Sequence, residues 1–211
     1  SHGAPIHPNQ QLILEAIGRL EPASVHEAGC GGGDHLANAM TLFPEIAMTG
    51  GDRGRSQLML ALKRHPELSG RVGVQDLTMP FSRQWPRAEL VYTQAVLMHI
   101  HTAVSHMVAL SNLFRQATRW VLLVENVQCH NFVRDLRALE AGGHLDWDAL
   151  HLYRFDGSGG ARAILAAQVP VENLVPLESD AQLRDGETRS ARRLRRADED
   201  SARGLFGFDA A

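Results

Sequence analysis

An α/β fold with a mostly parallel central sheet follows from three features of the sequence. Short, nearly all-apolar runs alternate with helical periodicity from residue 23 to residue 125. These runs lack the polar alternation of a strand with one wet face, so the sheet is covered by helices on both faces. After residue 125 the grammar changes. Two strand-like runs flank Asp156-Gly157-Ser158-Gly159-Gly160, whose residues tolerate positive φ, and this predicts an antiparallel C-terminal hairpin.

Each element has its own signal. Over 10–20, Leu12, Leu14, Ile17 and Leu20 fall near one helical face, and Pro22 ends the helix. Residues 23–28 form a strand delivered into Gly29-Cys30-Gly31-Gly32-Gly33. Asp34 is placed to cap the next helix, which carries Leu36, Ala37, Ala39, Met40 and Leu42 and closes at Pro44. A strand at 46–51 and a helix over 55–65 follow, then strands at 72–75 and 89–93. A helix over 101–116, a fifth strand at 120–125 and a helix over 131–141 lead to the hairpin runs 151–155 and 161–169. From Pro170 onward charge rises and large apolar residues thin out. The chain therefore divides into a domain at 1–170 and a charged extension at 171–211. Within the extension, Arg192-Arg193-Leu194-Arg195-Arg196 followed by Asp198-Glu199-Asp200 reads as a solvated face.

Composition bounds the function. A chain of 211 residues with 44% hydrophobic and 21% charged residues is globular and long enough for one ordinary core. A net charge of −3 argues against nucleic-acid phosphate as the main partner. Cys30 and Cys129 make neither a disulfide framework nor a CxxC zinc pair, which fits a reducing, cytoplasmic setting. No apolar run approaches the roughly 18 residues of a membrane span, so no membrane partner is expected.

The glycine turn carries the chemistry. Glycines at alternate positions let backbone pass close to a ligand, and the following helix start offers unpaired N–H groups. The dinucleotide fingerprint G-x-G-x-x-G fails here, because its last position falls on Asp34 or Leu36. What stands instead is Glu27-Ala28-Gly29-Cys30-Gly31-Gly32-Gly33. It resembles the first motif, often D-x-G-C-G-x-G, of the class I (Rossmann-like) S-adenosylmethionine-dependent methyltransferases. Four further stretches match in order. They are Gly50-Gly51-Asp52, the loop Val74-Gln75-Asp76-Leu77-Thr78-Met79-Pro80-Phe81, the strand and turn from Glu89 to Ile100, and the strand from Arg119 to Glu125. The resemblance covers roughly residues 20–170 and implies a seven-stranded sheet.

It also implies a ligand and its contacts. S-adenosylmethionine, leaving as S-adenosylhomocysteine, would lie over Gly29, Cys30, Gly31 and Gly33. Glu27 would orient the methionine head, directly or through the turn, and Asp52, with Arg53 beside it, would take the ribose. Asp76 and Leu77 would meet the adenine, and Thr93, Gln94, Ala95 and Val96 would flank the reacting methyl. Candidate general bases are His99 and His101, which lie with His106 near the expected edge of the site, and His130, His144 and His151 are additional candidates on the acceptor side. The implied function is methyl transfer to a small molecule, with an oxygen acceptor such as a sugar or secondary metabolite. RNA or protein methylation, and a non-catalytic binding partner, stay open as alternatives, and a homodimer is compatible with the sequence.

Three positions depart from the family pattern. His26 interrupts the first strand and reads as a satisfied, neutral core histidine. Arg53-Gly54 stands where a small hydroxyl residue is common, and His101 where proline is. No metal is implied, since Thr93-Gln94 supplies no carboxylate after strand four, although Glu125-Asn126 follows strand five. The Asn/Asp-Pro-Pro-aromatic motif of base-amino methyltransferases is missing, and Cys129 lacks the Pro-Cys setting of cytosine enzymes.

Overall fold

The computed structural model describes residues 6–184. Its strands are β1 (Ser24–Ala28), β2 (Ala47–Asp52), β3 (Val72–Val74), β4 (Ala88–Gln94), β5 (Ala117–Val124), β6 (His151–Asp156), β7 (Arg162–Ala167) and β8 (Val175–Pro176). They form one sheet in the order β3-β2-β1-β4-β5-β7-β6-β8. Pairing is parallel from β3 to β5 and antiparallel from β5 through β7 and β6 to β8. Strand order reverses between β1 and β4, so the carboxyl ends of these two strands splay around a crevice.

Helices α1 (Pro8–Leu20), α2 (Asp34–Leu42) and α3 (Arg55–Arg64) cover one face, and α4 (Ser105–Gln116) and α5 (Phe132–Ala141) the other. The alternation of side chains along each strand builds the two cores. Val25, Met48, Leu90, Tyr92 and Trp120 meet Leu12, Ile17 and Leu36 on the first face. On the second, Val91, Val121 and Leu123 meet Leu110, Leu113, Phe114 and Leu136. No helix among the described residues is long and apolar enough to cross a membrane.

The structure corrects four local expectations. The sheet has an eighth strand, since the two residues of β8 pair with Tyr153 and Arg154, a run too short for any periodicity to show. Residues 171–184 of the expected extension therefore lie on the domain: Leu177 and Leu183 are buried, and α6 (Ala181–Arg184) follows. The Arg192–Arg196 run lies outside the described residues. The helix expected from His101 starts only at Ser105, because Ala103 sits at φ 46°, which a right-handed helix excludes. Asp34 does not cap α2. Gly33 takes that position at φ 78°, and the Asp34 carboxylate turns outward to His65 Nε2 at 2.7 Å and Arg64 Nη1 at 3.1 Å.

Candidate active site

At the crevice, the glycine turn is fixed by backbone bonds to β2. Gly29 N and Cys30 N both donate to the Gly51 carbonyl, at 2.6 and 3.0 Å, and Gly33 N donates to Cys30 O. Gly29 must be glycine twice over: its φ is +88°, and a Cβ there would run into the Val96 side chain. Gly31, at φ +50°, meets nothing within 4 Å and leaves open space above the turn. The Asp52 carboxylate ties the turn to the start of α3, accepting from Gly31 N at 3.0 Å and from Gly54 N at 2.7 Å. Each oxygen keeps a lone pair for a further donor.

The opposite wall comes from the ends of β4 and β5. Ala95 holds φ 53°, an uncommon conformation for a residue with a Cβ. The surroundings enforce it. Ala95 N donates to Val124 O, and the Glu125 carboxylate accepts from Val96 N at 3.0 Å and Met98 N at 3.1 Å. Burial raises the Glu125 pKa, while these amides pull it down. Glu125 is thus committed to holding the 95–99 turn.

Between the walls lies a cleft of about 380 Å³. Of the residues expected from sequence, Gly29, Gly31, Asp52, Arg53, Asp76, Leu77, Gln94, Ala95 and His99 line it, and so does Val96. Asp76 Oδ1 accepts from Thr78 N and Oγ1, and its second oxygen takes no bond among the described residues. Gln94 Oε1 is buried without a hydrogen-bond partner, so the wall carries an unused acceptor. Gln57, Gln75, Thr78 and Ile100 also line the cleft and were not expected. Thr78 lies within the loop quoted from sequence, and its Asx-type turn on Asp76 is the one signal that marks it.

Five expected residues stand elsewhere. Glu27 is 3% exposed, under the turn beside Tyr92, with Oε2 lacking a partner in bonding geometry. Burial pushes its carboxyl up to about 8; the Tyr92 hydroxyl draws it down and the Asp52 charge raises it again. Cys30 is buried, and burial with the Glu27 and Asp52 charges pushes its thiol up to about 12, so it is no nucleophile. Gly33 packs against Leu68 and Ala61, and Thr93 is fully buried in β4. His101 sits exposed beyond the cleft lining, its ring 5.7 Å from that of His130. His130 in turn stacks on His106 at 4.1 Å and binds the Leu97 carbonyl through Nε2 at 3.1 Å. His106 Nε2 contacts Asp135 at 3.2 Å.

Solved structures share this fold. The chain matches a TehB-like S-adenosylmethionine-dependent methyltransferase from Corynebacterium glutamicum at TM-score 0.55 and 17% identity, over 83% of this chain and 90% of that one. It matches the methyltransferase domain of bacterial CtHen1-C at 0.55 and 14%, over 76% and 98%. The magnesium protoporphyrin IX methyltransferase of Synechocystis matches at 0.52 and 16%, over 76% and 79%. This is the fold of the class I S-adenosylmethionine-dependent methyltransferases. The chain spans about half the length of another methyltransferase it matches, the amino-pentose enzyme CalS10 of Micromonospora echinaspora. No protein-family model and no curated protein sequence matches it. Relative to the class I motif order, the glycine turn, Asp52, Asp76 and the 95–99 turn surround one cleft. The first-strand acid, Glu27, stands behind that cleft.

Proposed function

We propose that the chain is an S-adenosylmethionine-dependent methyltransferase acting on a small-molecule oxygen acceptor such as a sugar or secondary metabolite, in the cytoplasm. The observation that carries this reading is the cleft at the strand-order reversal, where Asp52 is anchored under an open glycine turn and Gln94 Oε1 is buried without a partner. The donor set fits the ligand: carboxylates at Asp52 and Asp76 suit a diol and an amino group, and Leu77, Val96 and Ile100 offer apolar surface to a purine. Two free cysteines support a reducing location.

S-adenosylmethionine, when bound, supplies a methyl group activated by a positively charged sulfur. The protein's own part is to hold, orient and take a proton. Asp52 holds the ribose hydroxyls with its spare lone pairs, and Asp76 and Leu77 hold the base. The 95–99 turn, stiffened by Glu125, fixes the wall against which the acceptor is aligned for in-line displacement. Alignment of two bound reactants contributes up to roughly 7–11 kcal/mol in ideal cases. His99, the one histidine in the cleft lining, favours an oxygen acceptor because a hydroxyl must lose its proton as it is methylated.

Calorimetric titration with S-adenosylhomocysteine tests the reading. Micromolar binding is expected, weakened at least about tenfold (about 1.4 kcal/mol) by Asp52→Ala. Absence of binding by the parent protein at high ligand concentration overturns the donor assignment.

A further inference from the structure

The connection between β3 and β4, residues 75–87, contains no helix. A parallel crossover of this kind ordinarily places one there to cover the sheet. What fills the space is a run of buried side-chain amides. Asn112 and Gln116, one turn apart on α4, are 2% and 0% exposed and face the loop together. Asn112 Nδ2 donates to the carbonyls of Leu77 and Met79, both at 2.8 Å. Gln116 Nε2 donates to Pro86 O at 2.7 Å, and its Oε1 accepts from Gln75 Nε2 at 2.8 Å. Gln75 Oε1 lies 2.8 Å from His26 Nε2, and His26 Nδ1 lies 2.9 Å from Thr49 Oγ1.

One end of this chain dictates both glutamine orientations and the proton on His26 Nε2. The Pro86 carbonyl only accepts, so Gln116 must present its NH₂ there and its oxygen to Gln75. Gln75 then presents its oxygen to His26, which must carry a proton on Nε2, while its Nδ1 faces the Thr49 hydroxyl, a group that can donate or accept. Burial pushes the His26 pKa down to about 4, which leaves the ring neutral and its Nδ1 accepting from Thr49. The anchor also explains the glycine at 51, where a Cβ would collide with the Gln75 amide. Gln75 itself lines the cleft beside Asp76 and Leu77.

We propose that the Asn112–Gln116–Gln75–His26 network positions the 75–80 loop before any ligand arrives, and that it thereby sets recognition of the purine base. The inference rests on the donor reading above. Its members touch the loop rather than the reacting atoms, so they are positioning residues. The network fixes Leu77 and Met79 through their carbonyls, which leaves the free Asp76 oxygen aimed by a rigid backbone. A loop held this way distinguishes an amino group from a keto group on the base, because the keto oxygen would face the Asp76 carboxylate acceptor to acceptor.

The experiment compares calorimetric affinities for S-adenosylhomocysteine and S-inosylhomocysteine, in which a keto oxygen replaces the amino group. The parent protein is expected to prefer the adenine compound at least about tenfold. Asn112→Leu and Gln116→Met should bring that preference to within about threefold, whereas Asp52→Ala should weaken both compounds alike and keep it. An unchanged preference in variants whose melting is cooperative overturns the proposal. So does a parent that binds the adenine compound without preference. A parent that binds neither compound overturns the donor reading itself, which separates the two failures. Hydrogen exchange on the unliganded parent needs no variant. Slow exchange of the Thr78 and Met79 amides, which donate to Asp76, is expected, and free-coil exchange there overturns the preformed loop.

Discussion

The glycine wall and the histidine side of the cleft are held together by different kinds of contact. On the first, Gly29, Cys30, Gly31 and Gly33 each donate a backbone N–H to a specific oxygen, on Gly51, Asp52 or Cys30 itself. On the second, the 95–99 turn is equally fixed by Glu125, but beyond it His101 only stacks, on His130, while His130 and His106 are each held at one ring nitrogen, by the Leu97 carbonyl and by Asp135. Several directional bonds together fix a position closely, whereas a ring held by stacking or at a single atom can slide or turn. His106 Nδ1 is also buried there without a partner. Under the proposed function, the more densely bonded wall suits the methyl donor and the looser side the acceptor that must enter and leave.

Breaking the rigid wall gives the largest effect. Gly29→Ala combines a positive φ with a collision against Val96 and should lower stability by about 2–5 kcal/mol. Gly31→Ala, which meets open space, should cost only the backbone term, about 1–2 kcal/mol, while still weakening S-adenosylhomocysteine. Urea denaturation of both variants checks the pair. Equal losses would mean that the Val96 contact relaxes freely.

Glu27 gives the next effect, and its sign follows from burial. The folded-state pKa of about 8 lies above the ordinary 4.5, so the folded protein keeps a proton that the unfolded chain releases. The contribution is full below about pH 4.5 and is lost as pH rises to about 8, at up to about 1.4 kcal/mol per pH unit. Glu27→Gln mimics the protonated form and should remove that decline. Denaturation midpoints from pH 5 to 9 measure it, and a parallel fall in the variant would exclude Glu27 as the source.

Much of the rigid wall was legible in the sequence, because it rests on backbone. Alternate glycines after an apolar run, and acids at successive strand ends, are local patterns that survive without knowledge of what packs where. The buried amides were not legible. Asn112 and Gln116 sit in a helix whose apolar period is otherwise regular, and nothing local says that they face a helix-free loop instead of water. Glu27 shows a different limit. The motif places it correctly at the end of β1, but side-chain direction in a strand depends on which face is covered, and the helices of the first face bury it. The Asp34 expectation failed because Arg64 and His65 at the end of α3 draw its carboxylate away from the helix start.

The smallest effect tests the histidine side. His99 lines the cleft; His101 is exposed, off it, and its one ring contact is His130 at 5.7 Å. Replacing His99 by alanine should lower kcat by about a hundredfold if it takes the acceptor's proton, with S-adenosylhomocysteine affinity nearly retained. His101→Ala should change stability by no more than about 0.5 kcal/mol and kcat by no more than about threefold. Turnover with an identified acceptor reads both. A large loss at His101 with little at His99 would move the proton acceptor to the rim. The stacked rings of His130 and His106 would then be its support, and the contrast between a rigid and a sliding side would cease to follow the division of chemistry.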